Sequence, residues 1–123
     1  MLRRMSIAML ALVLPGLAAT DASAHPKLTL AIPAANAVIA TSPKELRMSF
    51  NEGLVAKFSG VEVKTDKGQK IETGQAAADP ADKKQLVIPL PTALADGTYN
   101  VAWHVVSEDT HRVKGSYSFT VKH

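Results

Sequence analysis

Along most of the chain apolar and polar residues alternate with a period of two, the spacing of half-buried β-strands rather than of helices. Lys27 to Ile32 sets Leu28, Leu30 and Ile32 on one face, and Pro33 ends the run, which predicts a first strand suited to a sheet edge. Lys44 to Asn51 repeats the pattern with Leu46, Met48 and Phe50 inward and Glu45, Arg47 and Ser49 outward, so that its end delivers Glu52 to a loop. Gly60 to Thr65 puts Val61 and Val63 inside; Asp66-Lys67-Gly68 then turns the chain and Ile71 begins a short return, together a hairpin. Residues 74 to 84 are rich in Ala, Asp and Lys without periodicity and read as a loop. Gln85 to Leu90 is a strand interrupted by Pro89.

The most regular strand follows the Asp96-Gly97 turn. Tyr99, Val101, Trp103 and Val105 are spaced by two, and Asn100, Ala102, His104 and Val106 form a second face expected to be partly covered as well. Ser107 to Arg112 leads to a last strand in which Tyr117, Phe119 and Val121 alternate with Ser116, Ser118 and Thr120. After residue 24 no segment carries an apolar helical stripe, and no internal repeat is present. About seven short strands separated by turn signals predict an all-β fold, a β-sandwich or Greek-key barrel.

Residues 1–24 break the pattern. Arg3 and Arg4 precede the apolar run Ile7 to Leu14, a Pro15-Gly16 break and the small residues Ala22-Ser23-Ala24, the layout of a secretory signal peptide cleaved after Ala24. One domain over residues 25–123 is left. The arginine pair is compatible with twin-arginine export, but Leu2 before it and the strongly apolar core fit the general route better. The run is too short for a bilayer, which takes roughly 20 apolar residues, and no other stretch approaches that length, so the mature protein is expected not to be membrane-embedded. Its 99 residues have room for one core but not for a deep, walled substrate cavity, which weighs against an enzyme.

Charge excludes one class of partner. The net +3 becomes +2 once Arg3, Arg4 and Asp21 are removed, and the basic residues are scattered singly from Lys27 to Lys122, so nothing can track a nucleic-acid backbone. Cysteine is absent, and Met48 is the only sulfur after the leader. Soft metal ligands are therefore nearly missing, while nitrogen and oxygen donors are available.

Cleavage after Ala24 would convert His25 into a chelate, with its α-amine and imidazole able to close one ring on a metal ion. An α-amine of pKa about 8 gives up its proton to copper near neutral pH. Pro26 has no amide hydrogen, so a metal cannot continue along the backbone and must take its further ligands from elsewhere in the fold. Asp109-Thr110-His111 is the obvious source, because residues two apart in an extended segment point the same way. Together these make a nitrogen-rich, sulfur-free set of the kind tetragonal Cu(II) prefers, with Glu52 as a weak fifth ligand or as an acceptor fixing an imidazole N–H. Each residue also has an ordinary role: an Asp-Thr-His run as a turn, Glu52 as a solvated charge, His104 as a surface histidine and His123 as a frayed end. Trp103, Tyr117 and Phe119 suit a sandwich core.

The chain from His25 onward resembles the CopC family of periplasmic copper-resistance proteins along nearly its whole length. The features that carry the resemblance are His25-Pro26-Lys27-Leu28, Phe50-Asn51-Glu52 followed by Leu54-Val55, Gly97-Thr98-Tyr99, and the closing run. That run is Trp103, Val105-Val106-Ser107, Asp109-Thr110-His111, Gly115-Ser116, Phe119 and Val121. The resemblance implies a cupredoxin-like Greek-key barrel and one Cu(II) ion held by His25, Asp109 and His111, with Glu52 at an acidic position near that site in some members. It further implies a periplasmic carrier that hands copper to an inner-membrane protein of the CopD type. Two features depart from the family: Ala56 to Gln85 contains no methionine where some members carry a Met-rich Cu(I) loop, and His104 stands where arginine is common.

Two other functions compete. An amino-terminal histidine with a second histidine also forms the copper brace of oxidative polysaccharide monooxygenases, but the small size, the few aromatics and the Asp109 carboxylate oppose that reading. A metal-free secreted β-sandwich is the other, and it would tolerate a blocked or extended amino terminus.

Overall fold

In the computed structural model, which describes residues 25–123 together with Gly16, the alternation becomes nine strands. These are β1 (Leu28–Ile32), β2 (Val38–Ile39), β3 (Glu45–Phe50), β4 (Gly60–Thr65), β5 (Lys70–Ile71), β6 (Ala77–Asp79), β7 (Asp82–Pro89), β8 (Gly97–Val106) and β9 (Arg112–Val121). A single 3-10 turn, Ala56–Phe58, is the one helical element among the described residues. Two sheets form, in the orders β1-β3-β7-β6 and β2-β9-β8-β4-β5, and every pairing is antiparallel except β2 with β9. The protein is an all-β sandwich of two sheets packed on one core.

The inward faces of the sheets meet in one core. Leu46, Met48 and Phe50 of β3 and Leu86 and Ile88 of β7 lie against Val63 of β4, Val101, Trp103 and Val105 of β8 and Phe119 and Val121 of β9, all buried. Each full burial of such a side chain contributes about 1.5–3 kcal/mol. The Trp103 ring stands edge-on to Phe50, with centroids 5.2 Å apart at 72°. It lies across Gly115, its cross-strand partner, where an added Cβ would come within 2.7 Å of Trp103 Cε2.

Several expectations need correction. In β1 the register slips between Leu28, opposite Phe50, and Leu30, opposite Ser49. This bulge reverses the alternation, so Ala31 is buried while Leu30 and Ile32 are 53% and 51% exposed. The segment from 74 to 84 is not a loop throughout: it holds β6 and the start of β7, two strands that pair as a hairpin, Ala77 with Val87 and Asp79 with Asp82. β2 was likewise not expected, and with β6 it raises the strand number above seven. The second face of β8 is mostly open, with Asn100, Ala102 and His104 exposed and Val106 half-buried. The carboxy terminus is held, because the His123 backbone N–H donates to Asp96 Oδ1 at 3.0 Å and its Nδ1 lies 2.5 Å from the same oxygen.

Apart from Gly16, the expected leader and the expected cleavage after Ala24 lie outside the described residues. Among those described, no helix is long and apolar enough to cross a membrane. Pairing of Leu28 with Phe50, Val106 with Arg112 and Leu54 with Ser107 gathers the start of β1, the end of β3, the end of β8 and the start of β9 at one end of the sandwich. His25, Glu52, Asp109 and His111 all belong to segments at that end.

Candidate metal centre

The β8–β9 connection is a tight hairpin. Ser107 N–H donates to the His111 carbonyl at 2.9 Å and Thr110 N–H to the Ser107 carbonyl at 2.9 Å, leaving Glu108, Asp109 and Thr110 as a three-residue loop. Thr110 sits in the left-handed region at φ 72°, a conformation that costs a β-branched residue on the order of 1–3 kcal/mol and persists only where neighbours enforce it. The neighbours here are the closing pair and the Glu108 N–H bond to the Gly53 carbonyl at 3.0 Å.

Within the loop the Asp109 carboxylate is held on both oxygens. Oδ1 accepts from the Ser107 hydroxyl and, at 3.5 Å, from the His111 N–H, while Oδ2 lies 2.9 Å from His111 Nδ1. Ser107 is buried, 1% exposed, although it is polar. The Ser107 hydroxyl first, and His111 second, hold the Asp109 carboxyl below its usual range, with desolvation opposing them. An ionised carboxylate only accepts hydrogen bonds, so His111 Nδ1 carries the hydrogen between them, and in the neutral ring Nε2 keeps the free lone pair. A cation could replace that shared proton or bind the lone pair.

His25 reaches the loop from the other sheet. Pro26 is fully buried, Lys27 N–H donates to Asn51 Oδ1 at 2.7 Å, and Asn51 N–H donates to the Lys27 carbonyl at 3.1 Å. This ties the segment before β1 to the end of β3. The exposed ring of His25 consequently lies against that of His111, with centroids 5.0 Å apart at 67°. Glu52 is half-buried and lines an open depression of about 290 Å³ with Gly53, Glu108 and Asp109. Its place follows from the Leu54–Ser107 bridge. His104 stands apart on the outer face of β8, over Gly60.

Among the described residues no three His, Cys, Asp or Glu side chains converge as a ready-made cage. What exists is an Asp109–His111 pair with the His25 imidazole alongside: two nitrogens and a carboxylate, without sulfur, open to solvent. Such donors match borderline cations such as Cu(II) and Zn(II). Sequence reasoning gave no role in the site to Asn51 and Ser107, which hold these residues. Ser107 had a legible signal, because it continues the inward phase of Tyr99, Val101, Trp103 and Val105 and so places a hydroxyl at a core position two residues before Asp109.

Comparison with known proteins points in one direction. The model of the CopC domain matches residues 28–122. Protein YobA of Escherichia coli K12 is 42% identical over 113 residues, 92% of this chain and 91% of that protein. Among solved structures, CopC from Methylosinus trichosporium OB3b superposes with a TM-score of 0.74 at 32% identity, covering 80% of this chain and 94% of that one. PcoC of Escherichia coli, described as a methionine-rich copper resistance protein, gives 0.73 at 36% identity, covering 80% of this chain and all of that one.

Proposed function

The chain belongs to the CopC family of copper-resistance proteins, and from that premise we propose that its mature form is a periplasmic Cu(II) carrier holding one ion through His25, Asp109 and His111. In this reading residues 1–24 are a leader removed after Ala24, and residues 25–123 are the copper-binding domain. The free amine and imidazole of His25 chelate, His111 adds a second imidazole, and Asp109 supplies the oxygen. The observation that carries the reading is the packing of the His25 ring on that of His111, itself bonded to Asp109. Those residues lie far apart in sequence and are brought together at one end of the sandwich.

The function is binding and release rather than catalysis. Nitrogen and oxygen donors hold Cu(II) well and Cu(I) poorly, so reduction favours release, and Met48, the only sulfur in residues 25–123, is buried in the core. Glu52 adds negative charge beside Asp109 without being required as a ligand. The recipient is an inner-membrane copper-transport protein of the CopD type.

The test is a Cu(II) titration of the protein beginning at His25 and of a form carrying one extra residue before it, both followed by electron paramagnetic resonance. A one-to-one tetragonal, nitrogen-rich signal in the first and its loss in the second is expected. Equal binding by both forms would remove the α-amine from the ligand set, and binding by neither would end the copper reading for this site.

A further inference from the structure

The outer face of the second sheet has an open groove of about 340 Å³ lined by Phe58, His104, Val106, Arg112, Val113 and Lys114. Register explains its shape. Gly60, His104 and Lys114 form one cross-strand row and Val106 with Arg112 the next, so these side chains share the outward face. Gly60 leaves the floor bare, and the His104 ring lies over it, close enough that an added Cβ would come within 3.1 Å of His104 Cε1. Phe58, 58% exposed, forms an apolar wall.

The groove's rim is basic and unneutralised. Arg112, Lys114 and Lys57, whose Nζ is 5.8 Å from the centre of the Phe58 ring, form no ion pair among the described residues. Glu62, the acid in the adjoining row of this face, is taken by Lys64 at 3.0 Å. The groove also runs directly into the metal loop, since Arg112 follows His111 and Val106 precedes Ser107.

We propose that this groove docks an extended acidic segment of a partner protein, carboxylates on Lys57, Arg112 and Lys114 and an apolar side chain against Phe58 and Val106, beside the metal loop. Three uncompensated cations beside the apolar Phe58 wall and Val106 favour that occupant, because opposite charge steers encounter and the apolar side chains supply contact area. Identification of the partner as the protein that receives the copper rests on the function proposed above; the preference for an acidic segment does not.

The experiment uses metal-free protein beginning at His25 and two capped peptides, one alternating glutamate with leucine and one alternating lysine with leucine, followed by amide chemical shifts. The acidic peptide is expected to shift Phe58, Gly60, His104, Val106, Arg112 and Lys114, and the basic one not to. The double variant Lys57→Glu, Lys114→Glu should weaken the acidic peptide by about tenfold or more at low salt, the difference shrinking as salt rises. Cu(II) binding by the same variant, titrated separately, should persist, so failure of the groove is distinguishable from failure of the metal site. Equal response to both peptides, shifts elsewhere on the surface, or shifts at these residues with anionic phosphatidylglycerol vesicles but not with peptide would overturn the proposal.

Discussion

Replacing Ser107 with alanine tests whether the loop presents its carboxylate by design of the core. The hydroxyl is buried and donates to Asp109 Oδ1, whose only other hydrogen bond among the described residues is the long 3.5 Å one from the His111 N–H. Without the hydroxyl, that oxygen loses its main donor, and the carboxylate is oriented by His111 alone, through Nδ1 and the long N–H contact. The hairpin itself survives, because its closing bonds use the backbone of Ser107, Thr110 and His111 rather than the hydroxyl. Loss of an outer-shell partner of this kind weakens metal binding by about 10–100-fold, the effect expected for Cu(II) measured by competition with a chelator at neutral pH.

The variant also has a signature that needs no metal. Ser107 is the foremost cause of the low Asp109 pKa, so its removal raises that pKa toward the ordinary carboxylate value of about 3.9. The sign for copper follows: Asp109 takes up its proton at higher pH in the variant, so the affinity gap should widen as pH falls through the carboxylate range. Carboxyl NMR of the metal-free protein reads the first shift and chelator competition at several pH values reads the second. Asp109 titrating alike in both proteins, with copper affinity unchanged and the loop amides undisturbed, would refute the reasoning.

Other substitutions separate the site from the scaffold. His111→Ala should lower Cu(II) affinity by orders of magnitude while His104→Ala leaves it unchanged, because His104 lies on the outer face of β8; equal losses in titration would show that the wrong histidine has been assigned. Gly115→Ala forces a methyl into the Trp103 ring and should cost about 1–3 kcal/mol, read as a melting temperature lowered by roughly 4–8 °C per kcal/mol, with partial recovery when Trp103→Phe is added. Asp79 is held below the usual carboxylate range first by the Ala81 N–H and then by Arg47, and Asp96 first by the His123 N–H and then by its ring. Depressed carboxyls stabilise the fold above their unfolded-state pKa and lose that contribution as pH falls through their folded values, so Asp79→Asn with Asp96→Asn should flatten the acid limb of stability in urea titrations.

How much of this was legible in the chain depends on where each feature is decided. β3, β8 and β9 were readable because Leu46, Met48 and Phe50, or Tyr99 to Val105, contrast with polar neighbours at every second position. β6 was not, because Ala77 and Ala78 carry no such contrast and become a strand only by pairing with β7. The two residues of β2 offer no pattern at all. The exposed Leu30 and Ile32 result from a bulge set by the register of β1 on β3, which no local period records.

The same division runs through the site. His25, Asp109 and His111 could be named early because donor chemistry belongs to a side chain and its immediate neighbours. The approach of the His25 ring to the Asp109–His111 pair belongs to contacts between remote segments: the Leu54–Ser107 bridge, the Lys27–Asn51 bonds and the burial of Pro26. A variant that keeps all three donors but removes the Asn51 side chain therefore tests the fold's share in the chemistry. Asn51→Ala strips the Lys27 N–H of its 2.7 Å acceptor, a bond worth about 0.5–1.5 kcal/mol, and loosens the segment that carries His25, leaving it the Asn51 N–H bond to the Lys27 carbonyl and the burial of Pro26. Cu(II) affinity should fall through His25 while Asp109 and His111 remain paired, and unchanged affinity would mean that the metal, rather than Asn51, brings His25 to the loop.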